Sequence, residues 1–278
     1  MSAFDRDVSF SPEVSSVHDA PDYDRRTIYK TESDKARNLQ VAQLRVGICL
    51  AALIYAAIVH QDVEVGVRPL IKATPILLMI WLTIIIGDMK PYAIRVAIGL
   101  SFCAVGDVCL EMDRTAGSGK VPYFLIGLAA FLLGHCSFAF AFGINERRLT
   151  ALTVFLPLIF CGGIFVVLRP SLPAGLIYPV LAYAVAIGGM TVLALSRNPG
   201  GYASEWSFRH GAVGAVLFTA SDTILAYDRF VAPVPYARFS VMTTYYLAQY
   251  GIAVSARGAM PRPLSKALGS VENFNKGH

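Results

Sequence analysis

Residues 218–230 read FTASDTILAYDRF and place a carboxylate, Asp222, inside an otherwise apolar run. Residues 103–114, CAVGDVCLEMDR, repeat the pattern. With Asp107 laid on Asp222, Leu110 falls on Leu225, Asp113 on Asp228 and Arg114 on Arg229. Each copy is soon followed by Val-Pro-Tyr, at 121–123 and 234–236, and by a further apolar segment. Two carboxylates at matching places in two half-chains point to a paired acid–base site held by the rest of the chain.

Composition sets the solvent for that site. Of 278 residues, 55% are hydrophobic and only 15% charged, against about 25% charged in an ordinary soluble domain. Mean hydropathy is +0.54. Repeated apolar runs of about 20 residues indicate an all-α, polytopic membrane protein. The net charge of +5 comes from bases at segment ends, so it speaks for topology and not for a nucleic-acid partner. Cys49, Cys103, Cys109, Cys136 and Cys161 all lie in apolar runs, without Cys-x-x-Cys or zinc spacing, and read as small packing residues. Residues 1–38 are polar and have no apolar core near Met1, which predicts a disordered tail and no cleaved signal peptide.

The pattern predicts eight transmembrane helices at 39–60, 69–86, 92–112, 121–143, 150–168, 175–195, 206–228 and 237–257, and a second polar tail at 258–278. Arg25, Arg26, Lys30, Lys35, Arg37, Lys90, Arg147, Arg148, Arg197, Arg257, Arg262 and Lys266 fall on one side. The smaller set, Arg68, Arg114, Lys120, Arg169, Arg229 and Arg238, falls on the other. The positive-inside rule then puts both termini in the cytoplasm. An endoplasmic reticulum membrane is the expected home if the source is eukaryotic. Helices one to four and five to eight become two parallel four-helix repeats, related by an axis along the membrane normal. Asp107 and Asp222 share a level, about 8 Å from their helix ends.

An ionisable side chain within a membrane helix is costly and defaults to function. Two carboxylates in one poorly solvated cavity cannot both ionise cheaply, so the pair supplies both a general acid and a general base. Glu111, one turn beyond Asp107 on the same face, is either solvated or part of the site. Lys72 either snorkels to the interface or holds one aspartate ionised. His135 and Gln249 occupy roughly matching places, deeper than the aspartates, where interhelical hydrogen bonds are expected. Phe131 and Tyr245 stand one turn closer and suit a cavity wall. Arg114 and Arg229 sit at the mouth, as loop salt bridges or as holders of a lipid phosphate. The chain has no nucleophile motif and no phosphate loop, and its histidines lack ligand spacing; neither a metal nor a cofactor is expected.

The same residues carry a resemblance. Lys72-Ala73-Thr74-Pro75, Gly106-Asp107, Gly127…Phe131…Gly134-His135…Phe142 and Tyr183…Met190 come first. Gly214…Leu217-Phe218…Ser221-Asp222…Leu225-Ala226…Phe230 and Tyr245-Tyr246-Leu247-Ala248-Gln249 follow. In this order the chain resembles the YhhN-type lysoplasmalogenase family over about residues 45–257. The resemblance implies a membrane ether hydrolase with a lysophospholipid substrate. Such an enzyme cleaves the vinyl ether of a lysoplasmalogen to a fatty aldehyde and glycerophospho-ethanolamine or -choline. Asp107 and Asp222 would be catalytic, while Lys72, Glu111, His135, Tyr245, Gln249, Arg114 and Arg229 would touch or support the substrate. Parallel repeats with intramembrane acids also fit a proton-coupled transporter, and a lipid-binding protein without activity would keep the same fold.

Overall fold

The computed structural model describes residues 22–58, 67–115, 123–143, 148–199 and 203–258. The chain divides into an amino-terminal unit, Met1–Gln40, and a body, Val41–His278. Eight α-helices run through the described residues: α1 (Asp22–Ile58), α2 (Arg68–Gly87), α3 (Pro91–Thr115), α4 (Tyr123–Phe142), α5 (Ala151–Leu168), α6 (Ile177–Leu195), α7 (Glu205–Phe230) and α8 (Ala237–Val254). Six of them, α1 to α6, are long and apolar enough to cross a membrane. The chain is a polytopic helical membrane protein. α7 and α8 are more polar because they carry Asp222, Asp228 and Arg229, and Arg238, Thr243, Thr244 and Gln249.

Local chemistry sets the ends. Thr150 accepts from the backbone N–H of Thr153 at 3.2 Å, and the Thr153 hydroxyl accepts from that of Thr150 at 3.0 Å, a reciprocal cap for α5. Ser204 caps α7 through the Ser207 N–H at 3.1 Å. α3 opens on Pro91 after two left-handed residues, Asp88 and Met89. Arg114 and Arg229 lie in the last turns of α3 and α7, where a cation favours the exposed carbonyls. Those turns extend both helices past the expected ends at 112 and 228. The aspartates therefore stand eight residues before Thr115 and Phe230, about 12 Å in rather than about 8 Å.

α1 begins before the expected residue 39: the polar stretch from Asp22 is continuous with the helix. Its Lys, Arg, Glu and Ala content supports a solvated helix, with residues 31–39 exposed. Residues 1–21 and 259–278, and the loop residues Lys120, Asn145, Glu146, Arg147, Gly200 and Gly201, lie outside the described residues. Arg197 also differs from its reading as a loop base. It is buried, donates to Ser207 O at 3.0 Å and Ser207 Oγ at 2.8 Å, and lies over Tyr92 at 4.8 Å.

The core lies where α3 packs on α4, α7 on α8, α2 on α3 and α8, and α6 on α4 and α7. Glycines allow the closest approaches. A Cβ at Gly214 of α7 would stand 2.8 Å from Ala248 O of α8. One at Gly134 of α4 would stand 2.9 Å from Cys103 Sγ of α3. Phe131, Phe218 and Tyr245 meet edge to face at the centre, with centroids 5.4–6.4 Å apart. The outside is apolar: α5 exposes Leu152, Phe155, Leu156, Ile159 and Val166, a surface suited to lipid and not to water.

Candidate active site

A cavity of about 350 Å³ opens between α3, α4, α5, α6, α7 and α8. Both aspartates line it, as do Lys72, Tyr183, Tyr245, Arg114, Arg229 and Arg238. One wall is apolar: Leu128, Ile164, Phe165, Leu168, Val180 and Ile187, from α4, α5 and α6.

Asp107 is buried. Its Oδ2 accepts from the Tyr245 hydroxyl at 2.6 Å, and its Oδ1 lies 3.4 Å from Lys72 Nζ. Lys72 sits on the turn of α2 that Pro75 loosens, and its carbonyl accepts from the Tyr246 hydroxyl at 2.9 Å. That bond fixes the backbone beneath the ammonium. Lys72 is thus buried and paired, not snorkelled to the interface.

Asp222 has a matching neighbourhood made from other helices. The Tyr183 hydroxyl of α6 donates to its Oδ2, and His135 Nε2 of α4 lies 3.4 Å from the same oxygen. His135 Nε2 is also 2.9 Å from the Tyr183 hydroxyl. With the phenol donating to the carboxylate, the imidazole donates to the phenol, which fixes the Nε2–H tautomer. Each carboxylate therefore has one phenol donor and one nitrogen neighbour.

Glu111 is fully buried, which removes the solvated option. Four side chains converge on it. Arg238 Nη2 donates to Oε1 at 3.0 Å, Tyr55 donates to Oε2 at 3.2 Å, Lys72 Nζ lies at 3.7 Å and Arg68 Nε at 3.8 Å. Removing a buried carboxylate ringed by cations would leave those charges facing one another without a counter-charge. Lys72 bridges Glu111 and Asp107, so the network reaches the cavity.

Among the other expected site residues, Tyr245 and Phe131 line the cavity. Gln249 is buried, with its amide against Cys103 and Tyr245. Arg229 pairs with Asp113 at 2.9 Å and lies 3.9 Å over the Phe124 ring. Arg114 is exposed, and among the described residues no carboxylate stands within ion-pair distance of it. Sequence reasoning missed Tyr55, Arg68 and Arg238, and left Tyr183 without a role. Tyr183 carried a signal, since it belongs to the matching pieces given above. The other three carried none, because each is an ordinary residue on its own helix until the fold brings it to Glu111.

The sequence profile of the YhhN family matches residues 67–256, which spans α2 to the end of α8. The chain belongs to the YhhN family. Among curated family members, Lysoplasmalogenase TMEM86A of Bos taurus is 36% identical over 196 residues, 68% of this chain and 78% of that protein. Lysoplasmalogenase TMEM86B of Sus scrofa is 33% identical over 221 residues, 77% of this chain and 88% of that protein. The human Lysoplasmalogenase TMEM86A is 34% identical over 196 residues, 68% of this chain and 78% of that protein. No solved structure matches the chain.

Proposed function

We propose that this family member is a lysoplasmalogenase that hydrolyses the vinyl ether of a single-chain alkenyl glycerophospholipid, with Asp107 and Asp222 as its general acid–base pair. The observation that carries the reading is a cavity lined by an apolar wall and by both aspartates, each aspartate bonded by a tyrosine hydroxyl. The relatives' names supply the substrate class.

The chemistry needs three things. A proton goes to the alkenyl carbon one removed from the ether carbon, and an oxocarbenium ion results. Water then adds to the ether carbon while a base takes its proton. The hemiacetal collapses to a fatty aldehyde and the glycerophospho-alcohol, so one water is consumed and no proton is lost overall. Two carboxylates on one cavity can supply all three parts: one as the proton donor, the other as the base for the water and as negative charge near the cation. The tyrosines hold both carboxylates in place, and no nucleophilic side chain is called for.

The packing also supports eight spans arranged as two parallel repeats. Exchanging α1–α4 with α5–α8 turns the neighbours of Asp107 (α2 and α8) into those of Asp222 (α6 and α4). It likewise turns the α3–α4 contact into α7–α8, and α2–α8 into α6–α4. The apolar wall beside the aspartates suits a lipid chain better than an ion path. Incubating the purified protein with a lysoplasmalogen and measuring released aldehyde tests the proposal. Aldehyde formation by wild-type protein, lost in Asp107→Asn and Asp222→Asn, is expected; no aldehyde from well-folded wild-type protein would overturn it.

A further inference from the structure

The cavity is asymmetric in charge although its aspartates are matched. Asp107, Glu111 and Arg114 follow one another at spacings of four and three, so they share one face of α3. Arg114 stands two turns, about 10 Å, along the helix from Asp107, and helical side chains lean back toward the preceding turn. Arg229 holds the same position relative to Asp222, but Asp113 and the face of Phe124 already engage its guanidinium. Arg114 has no such carboxylate among the described residues.

Arg238 is near enough for the two guanidiniums to repel one another, and both line the cavity. Two like charges turned toward one space need an anion to offset them. Glu111 attracts both but is one charge against two: it is fully buried, does not line the cavity, and is bonded to Arg238 at 3.0 Å. The basic end faces α2, α3 and α8, while the apolar wall faces α4, α5 and α6. A molecule lying across the aspartates would have its chain at one end and an anionic group at the other.

We propose that Arg114 and Arg238 form a phosphate site, which takes the phosphodiester of a single-chain glycerophospholipid, and that Glu111 is the positioning residue for Arg238. The chain of the same lipid runs along Ile164, Phe165 and Val180, and the glycerol spans the aspartates. The site deepens the hydrolase reading by fixing the direction in which substrate lies, and it rests on that reading for the bond cleaved but not for binding.

The test uses two lipids that no ether hydrolase of this kind cleaves, because they lack the vinyl group: 1-O-hexadecylglycero-3-phosphocholine and 1-O-hexadecylglycerol. Equilibrium binding of each to the purified full-length protein is measured in an uncharged detergent. Wild-type protein should bind the phospholipid at least about tenfold more tightly, the order expected from charge-assisted hydrogen bonds. Arg114→Gln should remove about tenfold of phospholipid affinity and leave alkylglycerol binding unchanged. Glu111→Gln with Arg238→Gln removes both charges of that pair together and should act in the same way. Glu111→Gln alone should weaken only the phospholipid, since the misplaced group is Arg238. Equal binding of the two lipids by wild type, or an unchanged preference in Arg114→Gln, would overturn the site. Inorganic phosphate in large excess should not displace the lipid; displacement as effective as that by unlabelled phospholipid would show a free-anion site and overturn the lipid assignment. A preserved preference in wild-type protein that releases no aldehyde from lysoplasmalogen would support the site and remove the hydrolase reading instead.

Discussion

Asp107 and Asp222 occupy matched positions but are held by different chemistry: an ammonium and a phenol in one case, a phenol and an imidazole in the other. Asp107→Asn and Asp222→Asn should each lower turnover by at least about a hundredfold, the lower end for losing positioned acid–base help. The double variant should lose little more than the worse single one, because the pair acts as a unit. Aldehyde release at saturating lysoplasmalogen measures both; near-normal turnover in folded single variants would make the aspartates structural. Tyr183→Phe and Tyr245→Phe each remove one hydrogen bond to a carboxylate, and turnover should fall between about tenfold and a hundredfold. Glu111→Gln should act on stability as well, by about 3 kcal/mol or more, because it leaves Arg68, Arg238 and Lys72 converging on a buried neutral amide; thermal unfolding in detergent reads this. The two aspartates were legible in the sequence because a carboxylate in an apolar run stands out. Glu111 was only half legible: its spacing from Asp107 was visible, but its burial depends on Tyr55, Arg68 and Arg238 arriving from α1, α2 and α8.

Helix packing passes through glycine at Gly134 of α4 and at Gly214 of α7. Gly214→Ala would drive a methyl against the Ala248 carbonyl, where backbone and not a flexible side chain must yield. A loss of about 1–3 kcal/mol is expected for such overpacking. The shift would move α8 and the Tyr245 that it carries, so the melting temperature and turnover should fall together. A Gly214→Ala protein that melted like wild type would show that α7 and α8 have slack at this contact. Element boundaries were readable where punctuation is local, as with Thr150, Pro91 and Ser204. They were misread where polar residues continue a helix, as at α1 and in the last turns of α3 and α7. Hydropathy marks the segment that lipid covers, whereas the backbone stays helical for as long as propensity and end charges allow.

At the scale of the whole molecule, the excess of bases at one set of helix ends predicts that both termini face the cytoplasm. Tags at the two ends should react with an impermeant reagent only after the membrane is opened from that side; tags on opposite faces would mean an odd number of spans. The echo between CAVGDVCLEMDR and FTASDTILAYDRF was visible in the sequence, but the partners that other helices bring to each aspartate were not. The cavity's size has a consequence of its own. At about 350 Å³ it stands near the lower end of the range for small-ligand pockets, about 300–1,000 Å³, which leaves room for one hydrocarbon chain and not two. In a bilayer of two-chain phospholipids, the proposed turnover would take place in a vast excess of close look-alikes. Adding dioleoyl phosphatidylcholine to detergent-solubilised protein should leave the rate of aldehyde release unchanged, apart from surface dilution of the substrate. Selection by volume keeps such a protein from being inhibited by the solvent it is dissolved in.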